Sequence, residues 1–238
     1  MHEATRCLTD ALKIAETARK KGDALRGRRP DDEVVRTYES GCSVLNAALG
    51  VARNAREGLD ARSPPLDDDA RALLGALVEA RGVLGGLLQR LGRFEEARAS
   101  YCDGELLESR FGLSSTYNRL NRVKQDLLRD DGMTLSALAP DIDELVRTIR
   151  DALSADQRLG DKGWAWADLG DCLALRGETR EAAVAYANFI AKAEIKSPER
   201  TLDVLRQIAT KLRMRGDPGA TRLQDAIEAL QAGLHGVT

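Results

Sequence analysis

Only two histidines, His2 and His235, occur in the 238-residue chain, and both stand near its ends. No internal imidazole is therefore at hand to act as a general base. A Gly-rich phosphate loop, a serine elbow and any cluster with metal-ligand spacing are also missing, so no enzyme, cofactor site or metal site is expected. The acidic groups Glu95, Glu96, Asp141, Asp143 and Glu144 read as solvated or helix-starting carboxylates. Four widely spaced cysteines, Cys7, Cys42, Cys102 and Cys172, fit neither a zinc site nor a disulfide ladder and predict buried free thiols. Charge of one sign is lacking too, since 36 basic and 38 acidic side chains leave a net of −2. The one short basic run, Arg26, Arg28 and Arg29, lies in a turn with Gly27 and Pro30, so nucleic acid is not an expected partner. No apolar run approaches the ~18 residues of a membrane span, and the start, MHEATRCLTDALK, has no signal layout. The expectation is a cytoplasmic protein with no membrane association.

What is abundant points to helices. The composition is 43% hydrophobic, dominated by Leu and Ala, with 4% aromatic residues and six prolines. The spacing predicts a first helix from His2 to about Lys21, ended or weakened by Gly22, and a second continuing to about Glu57. Gly58 to Leu66, with its paired prolines, predicts a long loop between this N-terminal helical pair, residues 1–58, and the helical hairpins of residues 67–238. Asp67 to Leu91 predicts one long helix opened by three acidic residues. An oversized central hairpin is expected over residues 112–162, with helices at Leu113 to Arg129 and Thr134 to Gln157, and Pro140 either starting or kinking the latter. A capping hairpin over residues 197–236 opens on Ser197 and Pro198. About ten helices in one continuous domain result.

The chain also contains a repeat. LGGLLQRLGRFEEARASY from Leu84 and LGDCLALRGETREAAVAY from Leu169 superimpose with a shift of 85, matching Gly85 with Gly170, Gly92 with Gly177, Ala97 with Ala182 and Tyr101 with Tyr186. A small residue at a helix crossing lets two backbones approach while a bulky partner fills the neighbouring hole. The two later glycines fall where the first helix of each hairpin must stop. With Trp166, Leu169, Gly170, Ala182 and Tyr186, the pattern resembles the tetratricopeptide repeat. The first copy departs from it at Arg81, where the Trp would stand, and Ser109 and Glu194 replace the closing Pro. The resemblance covers about Val78 to Arg110 and Gly163 to Lys196. It implies a right-handed superhelical solenoid of antiparallel helix hairpins, all-α, that binds a protein or peptide in a concave groove.

By that family's pattern the groove positions include Gln89 and Arg90 in the first copy and Trp164, Asp168, Asp171 and Leu175 in the second. These are not the Lys, Asn and Arg that grip a peptide C-terminus, so a different mode of capture is expected. Trp164 stands two residues from Trp166 and must face elsewhere, toward a partner or toward the preceding hairpin. Asn118, Asn121, Arg122 and Gln125 recur at helical spacing and offer a line of amide and guanidinium donors. TYNRLNR resembles segments of bacterial tetratricopeptide proteins that accompany signalling and defence effectors, and 28 Arg against 8 Lys fits a GC-rich bacterial genome. The function expected is a non-catalytic adaptor or regulator acting on an effector encoded elsewhere, with homo-oligomerisation left open. The alternative is a small-molecule or signal-peptide sensor that switches such an effector.

Overall fold

A computed structural model describes residues 1–28, 31–61, 65–112, 116–155, 163–193 and 202–235. Among them lie eleven helices and no strand, so the fold is all-α. The chain forms two compact units, Met1–Arg119 and Leu120–Thr238. The division falls within one helix, where the sequence marks no boundary.

The first unit holds α1 (His2–Leu25), α2 (Asp31–Val51), α3 (Arg53–Asp60), α4 (Asp68–Arg90) and α5 (Phe94–Arg110). Alanines and leucines at three-and-four spacing bury one face of α1 through Ala4, Leu8, Ala11 and Ala15, and of α2 through Tyr38, Cys42 and Leu45. Helix α4 packs on both and pairs with α5. Its start is fixed by Asp67, whose carboxylate accepts from the Ala70 N–H at 2.7 Å. The expected loop from Gly58 begins later, because a separate short helix, α3, runs through Asp60 and fully buries Leu59. By length and composition α4 passes as a membrane span, at a mean hydropathy of 1.3, contrary to the sequence reading. Two thirds of that apolar window (67%) is buried inside the protein, which is the position of a core helix.

Helix α6 (Tyr117–Leu128) is followed in the second unit by α7 (Leu135–Ala155), α8 (Trp164–Arg176), α9 (Thr179–Ala193), α10 (Asp203–Met214) and α11 (Gly219–His235). Pro140 sits inside α7 and does not start it. That role falls to Thr134, whose hydroxyl oxygen accepts from the Ala137 N–H at 3.1 Å. Asp217 accepts from both Leu135 N–H (3.0 Å) and Gly219 N–H (2.7 Å), tying the starts of α7 and α11 together. The starts expected at Leu113 and at Ser197 and Pro198, and the turn at Arg29 and Pro30, lie outside the described residues.

The two turn glycines do what their spacing requires. Gly92 and Gly177 adopt φ of 72° and 78°, and the following N–H groups of Arg93 and Glu178 reach back to the carbonyls of Leu88 and Leu173 at 2.9 Å. The Gly and Tyr of each copy meet. A Cβ on Gly85 would stand 2.7 Å from the Tyr101 ring, and one on Gly170 would stand 3.1 Å from that of Tyr186.

Candidate functional site

A third copy of this contact exists in the first unit. Gly22, expected from sequence to end or weaken the first helix, does not end it: it stays within α1 and presses against the ring of Tyr38, more closely than either other pair. Gly22 and Tyr38 stand sixteen residues apart, as do Gly85 with Tyr101 and Gly170 with Tyr186. In two of the copies an Asp follows the Gly. Asp23 accepts from the Tyr38 hydroxyl at 2.8 Å, and Asp171 accepts from the Tyr186 hydroxyl. Gly86 occupies that place in the remaining copy.

Each of these carboxylates also takes a cation from a neighbouring helix of its own unit. In the first unit Arg90 meets Asp23 through Nε at 2.8 Å and caps the Gly86 carbonyl through Nη1 at 3.0 Å. Burial by itself would raise the Asp23 pKa, but the Arg90 hydrogen bond and charge, the Tyr38 hydroxyl and Arg19 outweigh it and hold the carboxyl below its ordinary range. Burial and the bond to Asp23 together push the Tyr38 phenol up to about 12. In the second unit Lys124 of α6 makes the ion pair with Asp171, and both side chains are nearly buried. Burial works against the Lys124 charge, yet Asp171 and Asp168 overcome it and raise its pKa. Asp168 is the second acid at this one cation, and burial, partly offset by Lys124 and reinforced by Asp171, pushes it up to about 7.

The ten candidate contact residues therefore occupy different depths. Trp164, Asp168, Asp171 and Leu175 form a stripe along α8 at spacings of four, three and four. The stripe dives inward, from Trp164 at 62% exposure through a partly buried Asp168 to Asp171 at 9% and Leu175 at 5%. The Trp164 ring leans on Phe189 of α9, centroid to centroid 5.2 Å, at an angle of 47°. It thus packs on its own hairpin while presenting most of its surface outward, and Trp166 is partly buried.

The amide line faces inward. Asn118 donates to Glu108 Oε1 at 2.8 Å and to the Val78 carbonyl at 3.3 Å, and its amide fills the space over Gly104. Asn121 and Gln125 are buried. Arg122 is largely covered and bridges Asp126 at 2.9 Å and Asp141 at 2.7 Å. Gln89 and Arg90 are partly exposed in the first unit, Arg90 with its guanidinium committed to Asp23. Sequence reasoning did not single out Lys124, Asp23 or Tyr38. The sixteen-residue spacing from Gly to Tyr was the available signal for the last two.

The thiols divide as well. Cys42 and Cys172 are buried as expected, with Cys42 pushed up to about 11 by burial and Cys172 raised further for the same first reason. Cys7 and Cys102 are only partly buried, because each lies at the edge of its helix's inward face. Among the described residues no group of His, Cys, Asp and Glu has a metal-binding arrangement.

These features define an all-α protein of repeated helical hairpins. No family model matches the chain, and no curated protein does. Among solved structures it is similar to BtubC (BKLC) from P. vanneervenii, with 19% identity over 98% of this chain and 92% of that chain, at a TM-score of 0.36.

Proposed function

We propose that this chain is a non-catalytic adaptor or regulator of the tetratricopeptide-repeat type, holding a protein or peptide partner through the N-terminal end of α8. The observation that carries the reading is Trp164, a large aromatic side chain left 62% exposed on a well-packed hairpin. Trp is enriched among residues that dominate binding energy, because it brings a large apolar area at little cost in side-chain entropy. Asp168, one turn further along the same face, supplies a polar neighbour to set register. The Leu-Gly pair, the turn glycine and the Ala and Tyr of α8 and α9 support the repeat type. Lys124 of α6 neutralises Asp171, which also accepts from the Tyr186 hydroxyl, and the three groups serve packing within the second unit.

Capture and crosslinking from cells of origin, comparing wild type with Trp164→Ala, tests this. The variant stays folded, its melting temperature lowered by a few degrees at most through the lost Phe189 contact, and loses its partners at least tenfold. Undiminished capture by a folded Trp164→Ala protein would overturn the site. A metabolite or nucleotide that raised the melting temperature, with no protein captured, would favour a sensor of small ligands instead.

A further inference from the structure

The α1–α2 hairpin buries one side and leaves a groove on the other. Its volume is about 660 Å³, and it is lined by Lys13, Ile14, Ala18 and Lys21 of α1 and by Glu33 and Arg36 of α2, with threonines and a serine between them. Two features set it apart from an ordinary solvated helix pair. Ile14 stands in it at 51% exposure, next to the partly buried Ala18, so the floor carries an apolar foothold. Three cations and one carboxylate are among the side chains that line it, on a chain whose net charge is −2.

The cations are accessible for exchange. Lys13 pairs with Asp10 at 3.4 Å and Arg36 with Asp32 at 2.9 Å, but all four side chains are more than half exposed. Pairs of this kind contribute little and are screened by salt. Lys21 has no ion pair among the described residues. The Thr17 and Thr37 hydroxyls donate to the Lys13 and Glu33 carbonyls at 2.8 Å within their own helices. The long Lys and Arg stems add apolar surface along the walls while keeping their charges at the rim.

We propose that this groove docks an acidic amphipathic segment of a partner protein, with an apolar side chain over Ile14 and Ala18 and carboxylates against Lys21, Lys13 and Arg36. Charge complementarity selects the occupant, and a volume of this order accommodates a few side chains of a helix or extended strand. The site lies wholly in the first unit and does not depend on the reading of Trp164.

The test uses the full chain and a fluorescent 14-residue peptide of alternating Glu-Glu and Leu-Leu pairs, followed by anisotropy. The peptide binds, binding falls with added salt, and Lys21→Glu with Arg36→Glu weakens it at least tenfold. Ile14→Asp weakens it comparably through the apolar foothold, and Trp164→Ala leaves it unchanged. No binding, equal binding of a peptide with Lys in place of Glu, or indifference to the charge reversals overturns the proposal. So does tighter binding of a 20-nucleotide single strand at the same ionic strength, which would make the groove a general polyanion site. A concentration-dependent dimer seen in sedimentation and abolished by the reversals would give the groove to a second copy of this chain and likewise contradict it.

Discussion

The Asp23 and Asp171 clusters are built to one plan in different surroundings. Each joins a Gly-Asp pair on one helix to a Tyr sixteen residues after the Gly, and each brings in a cation from a neighbouring helix. In the first unit the cation is an Arg and both charges keep about a third of their surface in water. In the second it is a Lys, both charges are nearly buried, and Asp168 crowds in as a second acid. The shared part is a packing device. The unshared parts, burial and the extra carboxylate, decide how much each cluster costs to disturb. The outward surfaces differ as well, with a basic groove on the first unit and an exposed Trp164 on the second.

Removing the cations separates the two clusters most sharply. Lys124→Met strands a buried carboxylate and should destabilise the protein by about 3–5 kcal/mol, whereas Arg90→Met, at a wetter site, should cost about 1 kcal/mol. Equal losses in urea unfolding would erase the distinction. Filling the helix crossing comes next. Gly85→Ala drives a methyl into the Tyr101 ring and should cost about 1–3 kcal/mol, while Gly75→Ala in the same helix meets nothing within 4 Å and should gain about 0.5–1 kcal/mol.

Asp168 gives a pH signature found only in the second cluster. From about pH 4, where an ordinary Asp ionises, to about 7, the unfolded chain has lost this proton and the folded chain keeps it. Stability contributed here therefore falls as pH rises through that window and is flat above it. Asp168→Asn should gain about 1–2 kcal/mol at pH 8 and nothing at pH 4. A gain independent of pH would remove the burial argument. The smallest effect concerns the thiols: a maleimide should label Cys7 and Cys102 well before Cys42 and Cys172 at neutral pH, and uniform labelling would contradict the burial of the latter pair.

The hairpin pattern was legible because its main contact, Gly against Tyr, closes within one hairpin at a fixed spacing, and its turn requires a glycine at positive φ. The copy in α1 and α2 is less legible for a local reason. Gly27 follows Gly22 by five residues, whereas Gly92 and Gly177 follow Gly85 and Gly170 by seven, so an alignment that demands both glycines misses the pair Gly22 and Tyr38. The amide line illustrates a harder limit. Asn118, Asn121 and Gln125 have the spacing of a helix face, but the pattern is the same whether that face meets water or protein. What draws Asn118 inward is the bare backbone of Gly104 and the buried Glu108, residues that only tertiary packing brings to it. The depth of the Trp164 to Leu175 stripe was hidden likewise, since it depends on where α8 enters its unit.

On the proposed reading, recognition rests on Trp164 and not on the buried polar line. Parallel crosslinking from a photoreactive residue at position 164 and at position 125, with partner capture by Trp164→Ala, measures this directly. The account predicts partner adducts at position 164, none at 125, and at least tenfold loss of capture by a folded Trp164→Ala protein. Adducts at 125, or full capture without the Trp164 ring, would contradict it.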